Sequence, residues 1–380
     1  MNNFTFYNPT KVHFGVGMIT KLAADLTAAG VHKCLLAAGG GSIKHNGVYA
    51  DTIAMLETAG IARVEAWGIQ ANPTLEKVRE LIALARTEAV DAILAVGGGS
   101  VIDSAKAVAA GFYLDDIWEV FSGKARIERA LPIFAVLTIS ATGSEMNGNS
   151  VLTNTATQQK WGMGSELVYP RATVIDPAYQ STLPPKQTVN GALDAIAHIL
   201  EFYFMDPEAS VTMGIDDSLQ KTIIAMTDRL LRDPLDTSAR ANLAWSATLA
   251  LNGISGAGMK GGDWACHQIE HAFSALHPEI SHGEGLGVIF PAWIEFMAER
   301  DPKIFDLWAK AVWNEDNTAS ALKAFRAKIK AWGSATSLRE LGIKDNELPR
   351  LLDLIMIYPR IGGFSRLNRE DVEALLMLAF

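Results

Sequence analysis

The chain has 380 residues, 49% of them hydrophobic and 20% charged, with a formal net charge of −9. That length exceeds what one ordinary core serves, so two domains are expected, and the composition excludes a disordered or fibrous chain. The acidic balance argues against nucleic-acid or anionic-membrane partners, which require a basic face.

The opening stretch MNNFTFYNPTKVHFG has no charged segment leading into an apolar run, so no signal peptide is read from it. The longest charge-free apolar stretch, 130–144, is too short and too rich in Thr, Ser and Gly to span a bilayer. Only two cysteines occur, Cys34 and Cys266, which fits a reducing cytoplasm and leaves neither a disulfide framework nor a cysteine-based metal site. A cytoplasmic protein without membrane partners is expected.

From the N-terminus to about residue 175, short apolar runs alternate with helical patterns, as in βαβ units with a largely parallel sheet. Strands are predicted at 33–38 (KCLLAA), 62–67 (ARVEAW), 91–96 (DAILAV), 133–138 (IFAVLT) and 172–176 (ATVID), with helices over 76–87 and 100–111. The turn-rich DPAYQSTLPP, 176–185, reads as a linker. Beyond it only amphipathic helical patterns follow, over 185–204, 208–232, 237–256 and 263–275 among others. The expectation is an α/β Rossmann-like dinucleotide-binding domain over 1–180 and an all-α metal- and substrate-binding domain over 181–380.

Two glycine turns follow predicted strands. In DAILAVGGGSVIDSAK, Gly97, Gly98 and Gly99 let the backbone approach a pyrophosphate, and Ser100 is read as capping a helix whose N-terminal amides favour an anion. The first turn, Gly39-Gly40-Gly41-Ser42, has Lys44 just beyond and no acid to hold a ribose 2′-hydroxyl. Ser42 and Lys44 could instead take a 2′-phosphate, so NADP(H) is favoured over NAD(H). A third turn, LTISATGSEMNGN, supplies Thr138, Ser140, Thr142, Gly143 and Ser144 for ribose, phosphate or carboxamide contacts, although such residues also dominate ordinary loops.

The helical half holds five of the eight histidines. Asp194 and His198 stand four apart, as do His267 and His271, and residues at that spacing share a helix face. Asp194, His198 and His267 with His282 would give one carboxylate and three imidazoles, a set suited to Fe²⁺ or Zn²⁺ with room for a substrate oxygen. Asp194 lies in an otherwise apolar helical stretch, where an unpaired carboxylate would be costly. His271 is the candidate for moving a proton; a role orienting a ligand, or a plain core position, competes with that reading. His13 and His32 read as structural or surface residues, and His45 as a solvated loop position.

Taken together, GGGSIKHNGVY, the Asn72-Pro73 turn, AVGGGSVIDSAK, ATGSEMN, the Asp194/His198 pair and CHQIEHAFSA followed by SHGEGLGVIFPAW resemble the iron-containing alcohol dehydrogenase family, in its NADP(H)-dependent butanol dehydrogenase and aldehyde reductase branch. The resemblance runs over nearly the whole chain and implies a dehydroquinate synthase-like architecture. It implies metal ligation by Asp194, His198, His267 and His282, and cofactor contacts from Gly39, Gly40, Gly41, Ser42, Asn72, Gly98, Gly99, Ser100, Asp103, Thr138, Thr142, Asn147 and Lys160. It also implies an alcohol or aldehyde as substrate, the nicotinamide facing the metal, and a homodimer. His267 and His282 stand 15 apart, one more than the resemblance leads one to expect. His282 keeps Gly283 and the downstream Pro291 and is taken as the ligand; His277 is the competitor. A dehydroquinate synthase-like lyase, a glycerol dehydrogenase-like enzyme and a non-catalytic relative are the alternatives. The lyase chemistry wants basic residues around a phosphorylated substrate, and over 190–290 only Lys221, Arg229, Arg232, Arg240 and Lys260 are basic, none beside the proposed ligands.

Overall fold

The runs KCLLAA, AILAVG and IFAVL are apolar throughout, as strands are when helices cover both faces of their sheet. The computed structural model describes all 380 residues and contains eight strands. They are β1 (Lys11–Phe14), β2 (Lys33–Ala38), β3 (Ala62–Ala66), β4 (Ala92–Gly97), β5 (Ile133–Leu137), β6 (Asn149–Asn154), β7 (Gln159–Gly164) and β8 (Ala172–Ile175). Six form a parallel sheet in the order β1-β8-β5-β4-β2-β3, and β6 and β7 form an antiparallel hairpin.

Alternation across the pleat divides the sheet's side chains between two cores. Cys34, Leu36, Ala38, Leu94 and Val96 pack with α1 (Leu22–Ala28) and α2 (Val48–Thr58). Leu35, Ala37, Ile93 and Ala95 pack with α3 (Leu75–Thr87) and α4 (Gly99–Gly111); the short α5 (Trp118–Phe121) adds Phe121 on that side. The strand order reverses between β2 and β4: the chain passes from β2 outward to β3, then returns to β4 on the other side. In open α/β sheets, ligands bind beyond the carboxyl ends of the strands at such a point. Both glycine turns, 39–41 and 97–99, leave β2 and β4 there.

The rest is helical: α6 (Pro185–Tyr203), α7 (Ser210–Arg232), α8 (Thr237–Ala250), α9 (Ala265–Leu276), α10 (His282–Ala298), α11 (Pro302–Trp308), α12 (Thr318–Ala331), α13 (Leu348–Ile355) and α14 (Arg369–Ala379). Phe204, Trp293, Phe305 and Trp308 form an aromatic core among these helices, with Phe204 and Phe305 stacked at 4.4 Å. No helix is long and apolar enough to cross a membrane.

The chain divides into two compact units, but not by one cut near residue 180. One unit is Tyr7–Leu183 with Pro234–Thr248; the other is Met1–Phe6, Pro184–Asp233 and Leu249–Phe380. Most of α8 therefore belongs with the sheet, where Ala244 enters the core and Thr248 donates to the buried Glu145 carboxylate at 2.6 Å. The helix predicted over 237–256 ends at Ala250, before a run of turns containing Gly253, Gly258 and Gly261, all at positive φ.

Candidate active site

Helix α6 is buried along most of its length, and its polar residues are the exceptions that call for explanation. Asp194 and His198, 3% and 5% exposed, lie one turn apart with Asp194 Oδ1 3.7 Å from His198 Nε2. Helix α9 brings in His267, whose ring stacks on His198 with centroids 4.8 Å apart. Helix α10 begins at His282, placing Nε2 of that residue 3.8 Å from the same Asp194 oxygen. Ligating atoms of Asp194, His267 and His282 all lie within 4.8 Å of one another. Donors sharing a tetrahedral ion at about 2.1 Å would stand about 3.4 Å apart, so Asp194, His267 and His282 enclose the space one divalent cation fills, with His198 beside it against Asp194 and His267.

Two further carboxylates, unread in the sequence, set the orientation of the rings. Glu201, 1% exposed, meets His267 Nδ1 at 2.6 Å through Oε1, and its other oxygen accepts from the Trp264 backbone N–H. Glu270, fully buried, meets His282 Nδ1. With Nδ1 committed to a carboxylate, the Nε2 edge of each ring is turned to the cluster, the arrangement usual for histidine ligands. His267 Nε2 is buried with no hydrogen-bond partner within the chain. Such an atom is costly unless something else satisfies it, and an ion at the centre of the cluster would. The donor set, one hard oxygen and three imidazole nitrogens, fits Fe²⁺ or Zn²⁺.

His271 is half-buried on α9, its ring 5.5 Å from that of His282 and its Nδ1 3.3 Å from the Tyr358 hydroxyl. Burial and the charge of Glu270 push the Tyr358 phenol up, so it holds its proton. His277 is placed elsewhere: Nε2 meets Glu347 at 2.9 Å and Nδ1 meets Glu279 at 3.3 Å. Burial pushes the Cys266 thiol well up, with Glu201 and Asp263 adding to it.

In the sheet unit, α4 starts at Gly99 with Gly98 as its N-cap and no capping side chain. This corrects the reading of Ser100 as the cap: Ser100 lies inside the first turn, because the helix starts one residue earlier than its apolar period shows. The glycines here are required by space. A Cβ on Gly98 would stand 2.0 Å from Ile139 Cγ2, and one on Gly99 would stand 2.4 Å from Thr142 Oγ1, so the 138–142 turn lies directly on the glycine turn.

Three of the residues implied for the cofactor form an internal brace. Lys106, fully buried, donates to Ser144 Oγ at 2.7 Å, Asn147 Oδ1 at 3.1 Å and the Asn149 carbonyl at 2.7 Å. Ser144 in turn donates to Asp103 Oδ1 at 2.6 Å, Asp103 Oδ2 accepts from Val151 N–H, and Asn147 Nδ2 donates to the Thr142 carbonyl. Burial pulls the Lys106 ammonium down to about 8, with Asp103 and Glu145 opposing. Lys160 on β7 donates to Asn72 Oδ1 at 2.9 Å, joining the hairpin to the turn after β3, where Asn72 sits in the left-handed region. Gly39 accepts from the Gly68 N–H and lies at the end of β2 with Gly40, Gly41 and Ser42. Thr138 leaves β5 beside β4, its N–H bonded to the Gly97 carbonyl.

Comparison with known proteins decides what kind of protein carries these features. Residues 9–177 match the iron-containing alcohol dehydrogenase family, and residues 188–380 match the C-terminal part of the Fe-containing alcohol dehydrogenase family. The chain belongs to the iron-containing alcohol dehydrogenase family. Family membership implies a nicotinamide cofactor and a divalent metal. Among its relatives, the probable NADH-dependent butanol dehydrogenase 1 of Bacillus subtilis is 37% identical, with 99% of each chain covered. The NADPH-dependent aldehyde reductase YqhD of Escherichia coli is 35% identical over 93% of this chain and 92% of that protein. The crystal structure of NADH-dependent butanol dehydrogenase A from Thermotoga maritima superposes with a TM-score of 0.98 at 47% identity, covering 100% of this chain and 99% of that one.

Proposed function

We propose that the protein is a metal-dependent NADP(H) oxidoreductase interconverting primary alcohols and aldehydes. The observation that carries this reading is the cluster of Asp194, His267 and His282, with His198 against Asp194 and with His267 Nε2 buried and unsatisfied by the chain. A divalent ion held by these four would act as a Lewis acid on the substrate oxygen, while the nicotinamide exchanges hydride with the carbinol carbon. Iron is favoured by the family and zinc by the same donor chemistry.

The chain's own residues have separable tasks. Glu201 and Glu270 fix the tautomer and aim of His267 and His282. His271, next to His282 and hydrogen-bonded to the Tyr358 hydroxyl, carries the alcohol proton away or returns it. The amides at the start of α4 take the pyrophosphate, with Gly98, Gly99 and Ser100 lying against it. Asn72, Thr138, Thr142 and Lys160 complete the cofactor's contacts, and Asp103 and Asn147 act through the Lys106 brace that holds the 142–149 loop.

The relatives are divided between NADH and NADPH. NADP(H) is favoured here because β2 ends at Ala38 and runs into Gly39 without a carboxylate to hold ribose hydroxyls, and Lys44 follows. The reading also includes a homodimer: β1 is an unpaired sheet edge, and exposed Phe14 and Trp245 line a cavity of about 380 Å³ beside it with Val12. Light scattering at working concentration tests that. A cytoplasmic location is consistent with two buried, unpaired cysteines. The central test is NADPH oxidation with butyraldehyde before and after chelator treatment, with re-addition of Fe²⁺ or Zn²⁺. Metal-replete protein inert towards every aldehyde and alcohol tried would refute the proposal.

A further inference from the structure

Lys44 follows the first glycine turn, and its ammonium has no carboxylate partner. It lies instead 3.9 Å from the Trp67 ring centroid and 5.7 Å from that of Tyr49. The two rings touch, with centroids 5.5 Å apart, and both are tied to one acid. Glu65 Oε1 accepts from the Tyr49 hydroxyl at 2.7 Å and Arg63 Nε at 3.3 Å, and Oε2 accepts from Trp67 Nε1 at 3.0 Å. Partial burial raises the Glu65 carboxyl, but these three donors outweigh it and hold the group below its usual value. Its charge is thus spent on the box that carries the rings.

The box stands at the glycine turn. Gly68 N–H, one residue past Trp67, donates to the Gly39 carbonyl at 3.1 Å, and Ile69 N–H donates to the Ala38 carbonyl. Lys44 N–H itself bonds the Gly41 carbonyl at 3.0 Å. The Lys44 cation, the Trp67 face and the end of β2 are therefore within one short stretch of structure. A free lysine on a surface turn samples many rotamers and is a poor anion site until it is ordered. A lysine resting on two aromatic faces has lost much of that freedom while keeping its charge unneutralised.

We infer that Trp67 and Tyr49, locked together by Glu65, are positioning residues that present the Lys44 ammonium to a phosphomonoester on the adenosine ribose of the cofactor. The box would select the 2′-phosphate of NADP(H) over a bare 2′-hydroxyl. The inference rests on the NADP(H) reading above and names the residues behind it: Lys44 makes the contact, and Trp67, Tyr49 and Glu65 act through it.

The test is calorimetric binding of 2′,5′-ADP and 5′-AMP to the full-length protein and its variants. Wild type is expected to bind 2′,5′-ADP at least about 10-fold more tightly, the effect of one charge-assisted phosphate contact. Trp67→Leu should lower that ratio roughly 3- to 20-fold, the span of one cation–π contact, with affinity for 5′-AMP unchanged. Trp67→Phe keeps a ring and should recover most of the ratio. Retained 5′-AMP affinity reports that each variant is folded. A Trp67→Leu ratio equal to wild type, with Lys44→Met abolishing the preference, overturns the inference while the NADP(H) reading stands. A wild type that binds the two nucleotides alike, or a Lys44→Met variant that still discriminates, counts against the NADP(H) reading at this turn and takes the inference with it. Equal loss of both nucleotides in Trp67→Leu shows a merely structural role and also overturns it.

Discussion

Gly283 stands directly after His282, at the start of α10, and a Cβ built on it would lie 1.9 Å from the Asn190 carbonyl oxygen. Asn190 is on α6, one turn before Asp194, so this contact sets how closely the helix carrying His282 approaches the helix carrying Asp194 and His198. Real Cβ atoms essentially never come within 3.0 Å of such an atom, so Gly283→Ala must part the two backbones by about 1 Å. Metal ligation tolerates only about 0.2 Å. The variant should therefore keep its fold at a cost of roughly 1–3 kcal/mol, the usual range for overpacking, yet lose metal affinity on the order of 100-fold. The assay is metal content after dialysis against a graded series of competing chelators, with urea unfolding of the metal-free protein run alongside. If Gly283→Ala holds one equivalent of metal through the same chelator series as wild type, close α6–α10 packing does not hold His282 in place.

Other outcomes follow from the same geometry. Glu201→Gln keeps an acceptor for His267 Nδ1 but removes its charge, and metal affinity should fall about 10- to 100-fold, read by the same competition. His282→Ala should abolish metal retention while His277→Ala, whose native ring meets only Glu347 and Glu279 among the interactions described, leaves it intact; the reverse result would reassign the ligand. Asp216 is fully buried on α7, and burial raises its carboxyl well above the usual value, Asp217 adding and Ser255 opposing. Unfolded chain releases this proton near pH 3.9 while folded protein keeps it, so the folded state loses stability as pH rises, by up to about 1.4 kcal/mol per pH unit. Asp216→Asn should remove that slope between pH 5 and 8 in thermal unfolding; identical wild-type and variant slopes would refute it.

Much of the fold was legible because the inner strands advertise themselves. β2, β4, β5 and β8 are buried on both faces, and strands so placed are mostly apolar, Thr173 on β8 being buried with its hydroxyl given to the Glu145 carbonyl. The edge strand β1 was missed for the converse reason: KVHF is short, half-exposed and carries a lysine and a histidine, as edges do. The β6–β7 hairpin was missed because NSVLTN and QKWGMG alternate only weakly, and the TATQ between them carries no glycine, asparagine or aspartate to mark a hairpin turn. The Asp194–His198 pair was readable because i,i+4 spacing is local, whereas the way α9 and α10 bring His267 and His282 to Asp194 is tertiary. Glu201 and Glu270 each stand three residues after a candidate ligand, on nearly the same helix face, which places them near the cluster, but the rings they hold, His267 and His282, come from other helices and no spacing reveals them. Lys106 was quoted within a motif without remark, yet a lysine followed by AVAAG and three residues after Asp103 on a buried helix asks for buried acceptors. The Lys44 box depends on a contact between β3's end and the turn after β2, which no spacing reveals.

The place of α8 bears on how the protein is made. When Leu183 leaves the ribosome, the sheet has all its strands, but the Glu145 carboxyl, 1% exposed in the finished protein, still lacks the Thr248 hydroxyl that will meet it. That hydroxyl, and the Ala244 methyl that completes the core beside it, arrive only after α6 and α7 have been synthesised. A fragment ending at the apparent linker would expose a gap in its core and a buried acid without its donor. Nascent-chain folding should accordingly finish late, with the first half waiting on the second.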